Sequence, residues 1–252
     1  MITIISPAKN MKPRREGTKP ATLPIFLDNA REINRVMRQY SPLDLQVLMK
    51  INEKLAADSF ERNQLMKFDG NGTAAVETYD GIQYKYMDPH TFREEAKEFA
   101  QNHLRILSGV YGSLRPYDSI YEYRLEMMTK MSVAGKKDLY AYWGDALYEQ
   151  LKADMDSSPF VVFNLASEEY GKCIRSHLKA GDRFITVLFQ VCHKGSWKVQ
   201  ATAAKMARGQ MVRYIMEHGI DTPEEAAGFC ADGWCFEPEL SDWETFVFRK
   251  YE

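Results

Sequence analysis

The stretch that most constrains the fold is the apolar run FVVFNL at residues 160–165, which lies between Pro159 and Ala166. A run of this length without apolar and polar alternation is typical of a strand that is covered on both faces. The residues after Met1, ITII, predict a second short strand rich in β-branched residues. Helical patterns separate these strands along the chain. The sequence therefore predicts an α/β (α+β mixed) fold, with a mixed sheet and surrounding helices.

Other segments carry recognisable helix and strand patterns. Residues 88–107 have apolar side chains at helical spacing, which predicts a helix up to about residue 107. Residues 73–87 predict two strands with a turn between them, while FITVLFQV and SWKVQATA predict a hairpin. Residues 203–219 predict a helix that Gly219 ends. No repeat or low-complexity linker interrupts the chain, so we expect a single domain over residues 1–252.

Composition narrows the classes of function. Charged residues make up 27% of the chain, and no apolar run approaches the ~18 residues of a membrane span. The short apolar start turns basic after a few residues, the reverse of the order in a secretory signal. We therefore expect a cytoplasmic protein without membrane contact. The five histidines are scattered, and the common phosphate-loop, dinucleotide and zinc-protease motifs are absent from the sequence. We expect neither a metal site nor a cofactor.

The net charge of −2 conceals a polarised chain. Residues 170–216 contain nine Lys or Arg against a single acid, whereas residues 217–252 contain ten acids against two basic residues. Such a basic segment is a candidate for contact with an anionic partner.

A glycine-rich segment gives the clearest candidate binding feature. In HLRILSGVYGSLRPYDSIYEYRLEM, residues 103–127, Gly109 and Gly112 flank two residues at the predicted end of a helix. Backbone N–H groups in such a turn can hold a phosphate oxygen, as in helix-hairpin-helix modules, here at about residues 92–120. The other interpretation is a helix C-cap followed by a tight turn. Three nearby cations could line the same rim: Arg105, Arg115 and Arg124.

Polar residues at strand ends form a second group of candidates. Asn164, Ser167, Glu168 and Tyr170 follow the buried run, where open α/β sheets usually bind ligands, although Ser167 is also a good helix N-cap. Lys9 follows the first predicted strand and could reach a phosphate or carboxylate, although a plain surface lysine is the default interpretation.

The predicted helix at residues 203–219 has one positively charged side. Lys205, Arg208 and Arg213 fall within an arc of about 140° on a helical projection. The alternative is a solvated helix face whose cations pair with the acidic end of the chain. Gly209 in the middle of this helix predicts a close packing partner or a ligand near the backbone.

The cysteines lack the spacing of a structural zinc site. Cys230 and Cys235 flank the sequence ADGW, which allows a peroxide-sensing or metal-binding pair, but the spacing is unspecific and two buried or incidental thiols are the simpler interpretation. We expect free thiols in a reducing compartment.

Six stretches together resemble a known family. ISPAK, the glycine-rich segment, KDLYAYWG, NLASEEY, AKMARGQMVRY and VFRKY look like the peroxide stress protein family known as YaaA, in the family's order and over residues 2–251. The resemblance implies a cytoplasmic bacterial protein of the oxidative stress response that limits free iron and peroxide damage to DNA. It also implies a basic cleft that carries the cations named above, with Asn164, Ser167, Glu168 and Tyr170 beside them.

Two hypotheses about function follow. The first is a monomeric DNA-binding protein without catalysis, in which the cations contact phosphates and Tyr111 or Tyr123 stacks on unpaired bases. The second is an enzyme that acts on a phosphorylated or nucleobase-containing small molecule, with Glu168 as general acid or base beside Tyr170. Direct iron binding ranks last, because no cluster of His, Cys and carboxylate residues has ligand spacing.

Overall fold

The computed structural model describes residues 1–14, 16–155 and 159–251. The strands are β1 (Ile2–Ile5), β2 (Asn10–Met11), β3 (Thr73–Ala74), β4 (Tyr79–Asp80), β5 (Leu104–Ser108), β6 (Gly112–Leu114), β7 (Ser119–Ile120), β8 (Val161–Leu165), β9 (Arg183–His193), β10 (Ser196–Lys198), β11 (Trp234–Phe236) and β12 (Thr245–Lys250).

The helices are α1 (Leu27–Met37), α2 (Pro42–Met49), α3 (Glu53–Leu65), α4 (Ala75–Thr78), α5 (Ile82–Met87), α6 (Glu94–His103), α7 (Leu139–Trp143), α8 (Ala146–Ala153), α9 (Glu168–Arg175), α10 (Ala201–His218) and α11 (Pro223–Ala226). Short 3-10 turns occupy Pro89–Thr91 and Pro238–Leu240. Among the described residues, we find no helix with both the length and the apolar character needed to cross a bilayer.

The main sheet is mixed, as the sequence predicts, and has eight strands in the order β11-β12-β9-β8-β1-β5-β6, with β10 beside β9. Its centre is parallel from β12 to β5, and antiparallel strands flank this centre. In the register of the central strands, Ile5 of β1 lies opposite both Ile106 of β5 and Leu165 of β8. The carboxyl ends of three parallel strands therefore meet at one edge of the sheet.

Burial explains why the short apolar runs form the centre of the sheet. All four residues of β1 and all five of β5 are buried, and Val162 and Phe163 of β8 are fully covered. The buried apolar side chains form one continuous cluster. The expectation of a single domain over residues 1–252 stays a prediction.

The helix-hairpin-helix prediction at residues 92–120 is not confirmed, because the glycine-rich segment forms a β-hairpin. Helix α6 ends at His103, and the next residues form β5, of which Leu104 to Ile106 pair with β1 instead of continuing the helix. Residues 109–111 then connect β5 to the antiparallel β6. The reason is burial, since a strand next to β1 covers its apolar side chains completely.

Close packing against Trp143 and the Leu125 backbone explains the two glycines of this hairpin. A Cβ atom at Gly112, whose φ is 72°, would lie 2.8 Å from the Trp143 indole. A Cβ atom at Gly109 would lie 2.8 Å from the carbonyl oxygen of Leu125, and Trp143 Nε1 donates to Gly109 O at 3.2 Å. Phosphate binding is not needed to explain either glycine.

Residues 73–87 also differ from the prediction of two strands. They form the short strands β3 and β4, with helix α4 between them and helix α5 after them. Helix α5 packs closely on α10 at Gly209, where a Cβ atom would lie only 2.2 Å from the carbonyl oxygen of Gln83. The hairpin β9-β10 and the end of α10 before Gly219 agree with the sequence predictions.

Candidate functional site

A cavity of about 410 Å³ lies at the carboxyl ends of the central parallel strands. We call it the strand-end cavity. Ser6 enters its wall directly after β1, and Ser167 enters it two residues after β8. This is the position at which open α/β sheets bind ligands. The polar side chains that line it include Ser6, Lys9, Gln83, Tyr84, Tyr123, Arg124, Glu126, Ser167, Glu169, Tyr170, Lys205 and Arg208.

Hydrogen bonds fix the loops that follow β1 and β8. The Ser6 hydroxyl donates to Ser167 Oγ at 3.1 Å and accepts from the Ser167 backbone N–H at 2.8 Å. The Tyr84 hydroxyl donates to the carbonyl oxygen of Ser6 at 2.9 Å. Ser167 also precedes α9 as its N-cap residue. These hydrogen bonds join the loop after β1, the loop after β8 and helix α5, and so fix this part of the cavity wall.

Arg208 is the least satisfied cation of the cavity wall. Its Nε is buried and has no hydrogen-bond partner within the described residues. Its guanidinium makes no ion pair there either, and burial lowers the pKa of Arg208. A buried charge without a partner is costly, whereas an anionic ligand would supply the missing acceptors. Arg208 therefore marks the end of the cavity that is suited to an anion.

Three further cations surround this position. Lys9 Nζ is 2.9 Å from Glu126 Oε2, and the Lys9 side chain remains 65% exposed. Arg124 donates through Nη1 to the carbonyl oxygen of Lys9 at 3.3 Å, while its buried Nε lacks a partner in the described part of the chain. Lys205 is exposed one turn before Arg208 on α10. Two guanidinium groups of the wall, those of Arg124 and Arg208, thus have an Nε donor without a protein acceptor in the described part of the chain.

Two carboxylates, Glu126 and Glu169, also line the cavity beside its cations. Burial raises the pKa of Glu169, and the nearby Glu126 carboxylate adds to this effect, while Lys9 opposes it. Glu169 Oε1 accepts a hydrogen bond from the backbone N–H of Met128 at 3.0 Å. A half-buried carboxyl group with a raised pKa can accept hydrogen bonds from a ligand or exchange a proton with it.

Tyrosine hydroxyl groups form a chain behind the cavity. The Tyr123 hydroxyl is 2.7 Å from the Tyr79 hydroxyl and 2.7 Å from Ser108 Oγ. Burial raises the pKa of Tyr123 to about 12 and raises that of Tyr170 well above its ordinary value. These phenols stay neutral at physiological pH and act as hydrogen-bonding groups.

Three predicted cations lie elsewhere. Arg105 is buried and donates through Nε to Asp154 at 2.8 Å, and Arg115 lies 4.0 Å from the same carboxylate. Arg213 donates to the carbonyl oxygens of Met87 and Asp88 at 3.2 and 3.1 Å. The other four predicted cations, Lys9, Arg124, Lys205 and Arg208, line the strand-end cavity, and these three do not.

Of the four predicted polar residues, two line the cavity and two do not. Ser167 and Tyr170 line the cavity, but Asn164 uses its Oδ1 to accept the backbone N–H of Ala166 at 2.9 Å and so closes the turn after β8. Glu168 is 71% exposed and pairs with Arg175. The neighbouring Glu169 lines the cavity instead.

Sequence reasoning missed Glu169 and the α5 residues Gln83 and Tyr84. The α5 residues were missed because residues 73–87 were read as strands. For Glu169, a signal was present, since it stands directly beside Tyr170 in the first turn of α9.

Comparisons with known proteins cover almost the whole chain. A family model described as "Peroxide stress protein YaaA" matches residues 1–240. A UPF0246 protein of Clostridioides difficile (strain 630) is 42% identical over 250 residues, covering 99% of this chain and 100% of that protein. A UPF0246 protein of Ligilactobacillus salivarius (strain UCC118) is 41% identical over 250 residues, with 99% and 100% coverage. One of Agathobacter rectalis is 38% identical over 252 residues and covers 99% of each chain.

Proposed function

The chain belongs to the peroxide stress protein YaaA family, as its motifs indicate, and we propose that it serves the peroxide stress response by binding a phosphate-bearing, nucleotide-like molecule in the strand-end cavity. The observation that carries this proposal is the unpartnered buried Nε of Arg208 in the cavity wall. Phosphate oxygens are the acceptors that a guanidinium binds best.

The size and lining of the cavity support a small ligand. Its volume of about 410 Å³ falls within the range of ~300–1,000 Å³ that is usual for small-molecule sites. Arg124, Lys205 and Arg208 suit a phosphate group, while Glu126 and Glu169 suit amino or hydroxyl groups of the same molecule. A DNA duplex is too large for this volume, whereas one nucleotide is not.

If the ligand is turned over, the acid–base role falls to Glu169 and not to Glu168. Glu169 lines the cavity and has a raised pKa, whereas Glu168 pairs with Arg175 in solvent. Replacement of Glu169 with Gln would then remove turnover and leave ligand binding within a few-fold of wild type. The matched replacement Glu168→Gln would change neither property.

Titration calorimetry with a panel of nucleotides and inorganic phosphate tests the proposal. Arg208→Gln should weaken the best ligand by about 10-fold to 100-fold, since hydrogen bonds to charged groups contribute ~1.5–3 kcal/mol. Arg175→Gln is the control, because Arg175 pairs with Glu168 outside the cavity wall. The proposal fails if no phosphate-bearing compound binds, or if Arg208→Gln binds as well as wild type.

A second candidate function is DNA binding without catalysis. Lys194, Lys198 and Lys205 favour it, because they are exposed on consecutive elements and make no ion pair within the described ranges. DNA bound by these lysines would dissociate as salt rises, by roughly one log unit of affinity per log unit of salt for each phosphate contact. Fluorescence anisotropy with single-stranded and duplex DNA measures this slope. Lys194→Gln with Lys198→Gln should reduce it by about two, and salt-independent binding contradicts this candidate.

The resemblance also implies protection against iron-dependent DNA damage, which we propose as an indirect consequence of ligand binding. In a strain without the endogenous protein, the Arg208→Gln variant should fail to restore hydrogen peroxide resistance. Arg175→Gln, expressed at the same level, should restore it.

A further inference from the structure

Cys230 and Cys235 stand on either side of a tight turn near the end of the chain. In residues 231–234, the carbonyl oxygen of the first residue accepts the N–H of the last at 2.9 Å. The two central residues, Asp232 and Gly233, have left-handed φ angles of 51° and 79°. Consecutive left-handed residues are typical of type I′ turns, which reverse the chain and bring the residues before and after the turn side by side.

This geometry suits a disulfide. Disulfide-bonded cysteines usually have Cα atoms ~4.4–6.8 Å apart, a separation within reach of two residues that directly flank a four-residue turn. The two thiols are close enough that Cys230, after burial, contributes to the raised pKa of Cys235. Cys230 is exposed and Cys235 is half-buried, so an oxidant in solvent can reach the pair. The other two cysteines differ, since Cys173 is buried and Cys192 lies opposite Trp197 in the β9-β10 hairpin.

We propose that Cys230 and Cys235 form a redox site that reduces hydroperoxides by closing an intramolecular disulfide. The Cys230 thiolate attacks one oxygen of the peroxide, the O–O bond breaks, and the other oxygen leaves as water or alcohol after it takes a proton. Cys230 then carries a sulfenic acid. The sulfur of Cys235 attacks it, the S–O bond breaks, and water leaves. Two thiols lose two electrons and two protons, and one hydroperoxide gains them.

The order of the two cysteines follows from their surroundings. Cys230 is exposed whereas Cys235 is half-buried, and burial raises the pKa of Cys235, so Cys235 is the poorer first nucleophile. Its position beside Cys230 suits the second step, in which it resolves the sulfenic acid. The oxidant belongs to the chemical class that the family description names. This site is separate from the strand-end cavity, because neither cysteine lines that cavity.

Thiol counting and peptide mass spectrometry on the full chain test the proposal. After reduction, the chain has four free thiols. One equivalent of hydrogen peroxide should reduce this number to two, with a Cys230–Cys235 disulfide in the digested peptides and full recovery after dithiothreitol. Cys235→Ser should stop at a sulfenic acid on Cys230, trapped by dimedone, whereas Cys230→Ser should form none.

Cys192→Ser is the matched control, because it removes an exposed cysteine that has no cysteine opposite it. It should oxidise at the wild-type rate and form the same disulfide. The proposal is overturned if Cys230 and Cys235 react no faster than Cys192. It is also overturned if they oxidise past the sulfenic acid without a disulfide, or if the bond links two chains.

Discussion

Two arginines of this protein, the buried Arg105 and the half-buried Arg208, have opposite surroundings. Arg105 lies in β5 with its side chain 4% exposed, and its guanidinium contacts Asp154 and the carbonyl oxygens of Gln101 and Leu104. Arg208 lies in α10 in the wall of the strand-end cavity, and its buried Nε has no partner in the described part of the chain. Burial lowers the pKa of both residues, but only Arg105 has a carboxylate that opposes this effect.

The comparison separates a structural cation from a ligand-binding cation. A buried arginine whose donors are satisfied by protein groups holds the fold together, and it cannot also bind a ligand through those donors. A buried arginine with a free donor in a cavity wall weakens the fold until an anion binds. The seven predicted cations were equivalent in the sequence, and their partners in the structure distinguish them.

We expect the largest loss of stability when the partner of Arg105 is removed. Asp154→Asn leaves the Arg105 guanidinium buried without its counter-charge, and we expect the free energy of unfolding to fall by ~3–5 kcal/mol. Urea unfolding followed by circular dichroism measures this loss. The double replacement Arg105→Met with Asp154→Leu should recover most of it. A loss below about 1 kcal/mol in the single variant would show that Arg105 is not held by this pair.

We expect the next largest loss of stability from a change at Gly209, where α10 contacts α5, the helix that carries Gln83 and Tyr84. Gly209→Ala places a Cβ atom 2.2 Å from the carbonyl oxygen of Gln83, so α10 must move away from α5. We expect a loss of ~1–3 kcal/mol in the free energy of unfolding, as for other overpacked sites, together with weaker ligand binding. Thr202→Ala, at an exposed position of the same helix, should change neither. Wild-type stability in Gly209→Ala would contradict the close packing.

The replacement Arg208→Met tests whether Arg208 contributes to ligand binding and not to the stability of the fold. The replacement keeps an apolar stem and removes an unpaired charge, so the free energy of unfolding without ligand should rise or change by less than about 1 kcal/mol. The affinity for the phosphate-bearing ligand should nevertheless fall at least 10-fold, as we expect for Arg208→Gln. Thermal unfolding with and without ligand measures both. A stability loss like that of Asp154→Asn would place Arg208 with the structural arginines.

The sequence was a good guide to the centre of the sheet and a poor guide to the glycine-rich segment. Strands β1 and β8 are apolar and short, so their burial could be predicted from residue type alone. Residues 104–108 continue a helical pattern, and pairing with β1 and β6 makes them a strand. Helix α5 was missed for the same reason, since contact with α10 at Gly209 outweighs its local strand propensity.

The site could be predicted to the level of segments but not of individual side chains. Strand ends indicated the right edge of the sheet, and Lys9, Ser167, Tyr170, Lys205 and Arg208 do line the strand-end cavity. Glu168 and Glu169 are adjacent in the chain but point about 100° apart on a helix, and the sequence does not give the rotation of α9 relative to the sheet. Likewise, only the fold reveals that Asp154 lies beside Arg105.

The smallest expected effect is a pH dependence of the free energy of unfolding. It tests whether Glu169, like Arg208, is a cavity group whose charge lacks a protein partner. Its pKa is raised from 4.5 in the folded protein, chiefly by burial, so the folded state favours the protonated form. The resulting stabilisation is present below pH 4.5 and is lost as the pH rises through the raised folded value. Wild type should therefore lose stability relative to Glu169→Gln over that window, by a fraction of a kcal/mol, because the group is partly solvated. Urea unfolding at a series of pH values measures the difference, and Glu168→Gln should run parallel to wild type. If wild type instead loses stability relative to Glu169→Gln as the pH falls, Glu169 is stabilised as a carboxylate and the cavity already satisfies its charge.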